Sequence, residues 1–279
     1  MEFIMKLPRF DPTWSVDVKS CYLYDVKEYF GGDAPGSRTP FPDYYFRFRN
    51  RFTQIVDEIE KYLPIGSSII DIAAAQGNFS LFLAERGYKV TWNDLRSDLE
   101  GYVRSKYEYG DISYAAGNLL DIENEHIGRY DGVIATELLE HVAHPDEFLI
   151  SLTRLVRPGG YLFISTPNGR YFRNRLPKFS EYSNPADFEA VQFRPDGDGH
   201  IFLLYPDEIT VLAERAGIDI CELKLGSNTL TTGEFKSKYL LKCLPVRVVD
   251  FIENVTRRLP EPFRSKMLNS MVFVLQKPR

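Results

Sequence analysis

Apolar residues recur along this chain with two different periods. Over residues 44–63 they fall at Phe48, Phe52, Ile55, Val56, Ile59 and Leu63, the spacing of a helix with one buried face, and Pro64 and Gly66 end it. From residue 67 the pattern becomes short apolar runs separated by amphipathic stretches. Residues 67–73 predict a strand and 78–86 a helix stopped by Gly87. Residues 88–92 predict a strand and 97–107 a helix. Strands follow at 112–116 and 130–136, the latter a short apolar run with β-branched residues, as in a buried parallel sheet. Residues 145–156 form an amphipathic pattern closed by Pro158, Gly159 and Gly160, and 161–166 read as a strand. Such alternation implies βαβ units, a parallel sheet and right-handed crossovers.

The pattern loosens after Pro167 until about Leu204. Pro206 suits the first turn of a helix to Ala216, with Gly217 as its stop, and 218–225 reads as a strand. Residues 226–268 form an insertion with helical stretches near 245–258, and 271–276 is a last strand. At the other end, residues 1–41 are punctuated by five prolines and glycines between 31 and 40 and read as irregular. Their many aromatics argue against a disordered tail: an arm packed on the rest, or a lid over a pocket. These boundaries give an N-terminal arm and helix (1–64), an α/β core (65–225), a helical insertion or cap (226–268) and a last core strand (269–279).

Composition narrows the function. The formal net charge of −5 argues against a partner bound through nucleic-acid phosphates. Cys21, Cys221 and Cys243 are widely spaced with no CxxC, which suggests reduced thiols and a cytoplasmic setting. No apolar run is long enough to span a bilayer, and the first ten residues lack the apolar core of a signal peptide.

Candidate chemistry gathers at the carboxyl ends of the strands, where open α/β sheets bind ligands. The first strand runs into Asp71-Ile-Ala73-Ala-Ala75-Gln-Gly77-Asn. Small residues followed by a helix start let a nucleotide-like ligand approach backbone N–H groups. Asp94, about 20 residues on, suits a ribose diol. The strand 130–136 is followed at once by Glu137, Glu140 and His141; a helical turn there would put all three on one face.

Together, 71–77, Asp94, Gly117-Asn118, 130–141 and LVRPGGYLFISTPN (155–168) resemble the successive motifs of the class I S-adenosylmethionine-dependent methyltransferases. The resemblance implies a Rossmann-like seven-stranded sheet with the last strand antiparallel, and S-adenosyl-L-methionine as cofactor. It implies Asp71, Ala73 and Gly77 near the amino-acid moiety, Asp94 and Leu95 at the ribose, Asn118 and Leu119 near the adenine, and Thr136 beside them. Two departures stand out. Alanines 73 and 75 occupy positions where the family pattern has glycine, and a position needing positive φ would reject them. Asn118 stands where Asp is usual, keeping a carbonyl acceptor.

TELLEHVAHP (136–145) is similar to the same segment of the ubiquinone-biosynthesis O-methyltransferases, and Glu-x-x-Glu-His resembles the metal site of the small-RNA 2′-O-methyltransferases. The latter site adds a later histidine, and His200 stands in the matching place. The resemblance thus implies a divalent cation on Glu137, Glu140, His141 and His200, with His141 and His200 as catalytic residues; Mn, Fe, Zn or Mg would suit the donors. Without a cation, His141 is a lone base and Glu140 a solvated carboxylate. Asp196 and Asp198 read as turn formers. The expected reaction is methylation of a hydroxyl on a small molecule such as a sugar, a glycan precursor or a phenol. The alternatives are an RNA 2′-O-methyltransferase and a non-catalytic module that binds S-adenosylmethionine. An NAD-binding fold lacks its GxGxxG spacing. Oligomeric state has no signal in the sequence.

Overall fold

The computed structural model describes residues 7–30, 42–190, 192, 199–241 and 243–279. Seven strands form one sheet in the order β3-β2-β1-β4-β5-β7-β6. They are β1 (Ser68–Ile72), β2 (Lys89–Trp92), β3 (Asp111–Tyr114), β4 (Tyr130–Thr136), β5 (Val156–Pro167), β6 (Asp219–Asn228) and β7 (Leu268–Gln276). The first five pair in parallel; β7 runs antiparallel between β5 and β6. The strand order turns outward from β1 and β4, so the ends of these two strands open a crevice at the switch point.

The helices are α1 (Val16–Phe30), α2 (Pro42–Tyr62), α3 (Asn78–Glu85), α4 (Leu99–Lys106), α5 (Leu119–His126), α6 (Pro145–Leu155), α7 (Pro206–Ala216), α8 (Lys238–Leu241), α9 (Val246–Arg257) and α10 (Glu261–Met267). The apolar stripe of α2 is buried with α3 against one face of the sheet, where Phe52, Ile55, Val56 and Ile59 meet Ile134, Phe163 and Val274. The other face carries α6 and α7 over Val133, Ile164 and Phe273. Helices thus cover both faces, as a near-continuous apolar strand such as β4 requires.

Two elements differ from the sequence expectation. The arm is not irregular: residues 16–30 form α1, with Val18 and Cys21 packed against Trp92, Tyr102 and Val103. Its turn signals lie on either side of the helix, and residues 1–6 and 31–41 fall outside the described residues. Helix α5 was not anticipated, because LLDIENEH carries only a short apolar stripe. Asn118 caps it, its Oδ1 accepting from Leu120 N at 3.1 Å.

The segment 226–268 is tied to α2. Arg49 Nη1 donates to Asp250 Oδ1 at 2.6 Å, Asn50 Nδ2 to Glu253 Oε1 at 2.9 Å, and Phe46 packs on Leu241 and Val249.

Candidate active site

A cavity of about 1480 Å³ opens at the carboxyl edge of the sheet. One end is walled by the turns after β1, β2 and β3, the other by the segments after β4 and β5 and by His200 and Leu203; α1 and α2 roof it with Tyr24, Glu28, Tyr44 and Arg51.

The first end is built from backbone. Ala73, Ala75 and Gly77 all have left-handed φ, of 53°, 46° and 72°. The alanines therefore adopt the conformation that the sequence reading held against them, at a local cost of about 1–2 kcal/mol each. Glycine is required at the third position for another reason: a Cβ on Gly77 would lie 2.7 Å from Val103 Cγ1. Cross-links hold the turns together. Ala74 N donates to Asn93 O at 2.8 Å, Trp92 Nε1 to Ala75 O at 3.1 Å, and Asn93 Nδ2 to Ala115 O at 2.7 Å.

Asp94 is the hub. Its Oδ2 accepts from Ala75 N at 2.9 Å and from Arg96 Nη2 at 3.1 Å, and its Oδ1 from Arg96 N and Nε, both at 2.9 Å. Leu95, Asn118 and Leu119 line the same end of the cavity. Asp71 and Gly77 lie behind it, not on its wall. Asp71 is buried and accepts from Ser80 Oγ at 2.6 Å; burial, against that hydrogen bond, pushes its pKa up to about 7. Thr136 pairs with Ser165 in the β4–β5 ladder and does not reach the cavity wall.

The other end is built from side chains. Residues Leu139–His141 form a single 3₁₀ turn, and Glu137 precedes it at φ 50°. The single helical face expected for Glu137, Glu140 and His141 is therefore not formed. Glu137 turns toward α2, with Oε2 3.2 Å from Arg51 Nη1 and Oε1 accepting from Ser165 Oγ at 2.9 Å. Glu140, His141 and His200 do converge, with ligand atoms within 4.8 Å of one another. Glu140 is fully buried and not solvated. Its Oε2 accepts from Thr166 Oγ1 at 3.0 Å, while Oε1 has no hydrogen-bond partner and lies 4.0 Å from His141 Nε2 and 3.8 Å from His200 Nε2. Ile201 N donates to Glu140 O at 2.9 Å, and this backbone bond brings His200 to the site. Burial and then the nearby Glu137 raise the Glu140 pKa well above the ordinary carboxylate range. A carboxylate oxygen without a partner, flanked by two imidazoles, is a donor set that fits a divalent cation. Asp196 and Asp198 lie outside the described residues.

The sequence reading missed Arg51 and Glu28. Arg51 borders the apolar stripe of α2, between Phe48 and Phe52, and a charge at that edge was the available signal. It faces Glu137 and Glu28 across the cavity roof. Burial alone would lower the Arg51 pKa, but these carboxylates more than offset it and raise it. Glu28 is pushed up to about 8 by burial and by Asp25. Its Oε2 accepts from Gln76 Nε2 at 3.0 Å and Asn78 Nδ2 at 2.9 Å, which fastens α1 to the turn after β1. Below, Lys106 Nζ sits 2.7 Å from Asp25 Oδ2 with both side chains fully buried.

Residues 45–223 match the family model described as a methyltransferase domain. The chain belongs to that family. Its sheet order, turn and seventh antiparallel strand are those of class I S-adenosylmethionine-dependent methyltransferases. Among curated relatives, the ubiquinone biosynthesis O-methyltransferase of Xanthomonas axonopodis pv. citri is 30% identical over 46% of this chain and 61% of its own length. That of Dechloromonas aromatica is 28% identical over 60% of this chain and 72% of its own. The chain thus spans under two thirds of the first of these relatives. Among solved structures, phosphoethanolamine N-methyltransferase 2 of Haemonchus contortus in complex with S-adenosyl-L-methionine superposes with a TM-score of 0.56. It is 16% identical and covers 96% of this methyltransferase-family chain and 59% of that one. The [4+2]-cyclase SpnF superposes with a TM-score of 0.54 at 12% identity, covering 96% of this chain and 98% of that one. At such identities the likeness is one of fold. Among the described residues, no helix is long and apolar enough to cross a membrane.

Proposed function

We propose that this chain transfers the methyl group of S-adenosylmethionine to a hydroxyl oxygen of a small molecule, with Asp94 and the turn 73–77 holding the cofactor and Glu140, His141 and His200 forming the acceptor site. The observation that carries this reading is the unpartnered Glu140 Oε1 between two imidazoles, in the same cavity as the cofactor turn. A divalent cation on these three residues would lower the pKa of a bound hydroxyl and fix its position. In the transfer, the acceptor oxygen bonds to the methyl carbon, the carbon–sulfur bond breaks, and the hydroxyl proton leaves to an imidazole or to solvent.

The protein's own contribution is alignment. Cofactor and acceptor meet within one walled cavity, and holding two reactants in line removes much of the entropic barrier. Glu137 serves as the anchor of Arg51, and the metal set becomes three residues in place of four. The relatives named as ubiquinone biosynthesis O-methyltransferases support an oxygen acceptor and favour a phenol over a sugar. The test is methyl transfer from S-adenosylmethionine to a catechol before and after metal stripping, with Mn²⁺, Zn²⁺ and Mg²⁺ added back singly. Turnover that falls on stripping and returns with one ion supports the reading; full turnover of the stripped protein leaves His141 as a simple base.

A further inference from the structure

Helix α9 is amphipathic in the inverted sense. Its buried face carries Val249, Glu253 and Thr256, and Asp250 is half-buried against Arg49. Its outward face carries Val248, Phe251 and Val255, with Phe251 67% exposed. Position by position around the helix, Arg247 and the C-cap Arg258 lie along one side of that apolar ridge, next to Phe251. Large apolar groups are exposed on the neighbouring helices too: Tyr239 and Leu240 of α8 and Phe263 of α10 are each at least 60% exposed. A soluble helix normally turns its apolar residues inward and its charges outward; here Glu253 is buried beside Val249 while Val248, Phe251 and Val255 face out.

Charge sorts the same way. Residues 226–268 carry eight Lys and Arg against four Asp and Glu, a net +4 in a chain of net −5, so the remainder is at −9. All of this lies beyond residue 223, where the match to the family model ends. We infer that the outward face of α9 docks on an anionic lipid surface, with Phe251 and Val255 entering the interface and Arg247 and Arg258 meeting lipid phosphates. An antiparallel two-fold pairing with a second copy is disfavoured, because it would set the arginine rows against themselves.

The test is co-sedimentation of the full chain with phosphatidylcholine vesicles, with and without phosphatidylglycerol. The protein should pellet with the anionic vesicles, stay in solution with the neutral ones, and be released by high salt. The double variant Phe251→Glu, Val255→Glu should bind at least tenfold more weakly. Arg247→Ala and Arg258→Ala should each weaken binding about fivefold. Thermal unfolding and cofactor titration should be unchanged in all, since these side chains are exposed. A wild-type chain that ignores anionic vesicles, or binds neutral ones equally, overturns the inference. So does a wild-type dimer in sedimentation that Phe251→Glu dissolves, since it would assign the face to a second copy.

Discussion

The two ends of the cavity are built on opposite principles. Around Asp94, backbone groups do the shaping and the polar groups already have partners within the protein: Asp94 alone accepts four hydrogen bonds. Around Glu140, side chains converge from two segments and leave one carboxylate oxygen without a partner in a fully buried position. A buried charge costs much unless paired, so the second end is the one whose stability and protonation depend on what binds it. The first end holds a fixed backbone shape. The second holds a donor set.

The largest expected effect breaks this contrast from the acceptor side. His200→Ala should lower turnover by about 10²–10⁴-fold and lose most divalent-ion binding, while S-adenosylmethionine affinity, read by calorimetry, stays unchanged. Equal loss of both affinities would show that the two ends are not separable. The pH dependence follows from Glu140. Its folded pKa is raised, so the folded chain holds a proton that the unfolded chain has released above the ordinary carboxylate value. Stability without metal should therefore fall as pH rises from the ordinary value toward the raised one. A bound cation replaces that proton, so ion affinity should rise over the same window and fall on acidification. Unfolding scans with and without Mn²⁺ across that range would check both signs.

The next two variants work from the cofactor side. Asp94→Ala should weaken S-adenosylmethionine by about 1.5–3 kcal/mol, the worth of charge-assisted hydrogen bonds, with ion affinity untouched. Unchanged cofactor affinity would remove Asp94 from the site. Arg96→Ala should do the opposite. The Arg96 guanidinium occupies both carboxylate oxygens, and its side chain is 38% exposed. A ribose diol must compete with it, so removing it should tighten cofactor binding by about 1 kcal/mol or less, the worth of a part-exposed pair. Weaker binding in Arg96→Ala would mean that the guanidinium orients Asp94 for the cofactor.

The comparison also explains what was legible in the sequence. Strand positions were readable because β1, β4 and β5 are buried on both faces, and Tyr130–Thr136 fell where the apolar run put it. The pairing of Glu140 with His200 was reached through resemblance, not spacing, since the contact depends on a backbone bond between Ile201 and Glu140 across sixty residues. Helical spacing failed for Glu137 because a left-handed residue starts the turn and sends that side chain to Arg51. Helix α1 was hidden between two punctuated stretches, and its buried Asp25 and Glu28 make sense only once Lys106 and Asn78 face them. Residue type alone does not reveal such long-range polar pairing.

The smallest expected effect concerns the two alanines. A position needing positive φ would be expected to reject alanine, Ala73 being the less usual of the two changes; both residues adopt positive φ with the turn formed. Left-handed φ costs an L-residue about 1–2 kcal/mol. Replacing alanine by glycine removes that cost but gives the unfolded chain more freedom, worth about 0.4–1 kcal/mol. It also deletes a partly buried methyl, since Ala73 and Ala75 pack beside two different core clusters. The net for Ala73→Gly or Ala75→Gly should be a gain of roughly 0.5 kcal/mol each, from the balance of these terms. The residues are two apart, so the double variant need not be additive. Chemical denaturation of the three variants would measure this. A clear loss of stability in both single variants would mean that the methyl contacts outweigh the backbone strain, and that the turn is held by packing as much as by its hydrogen bonds.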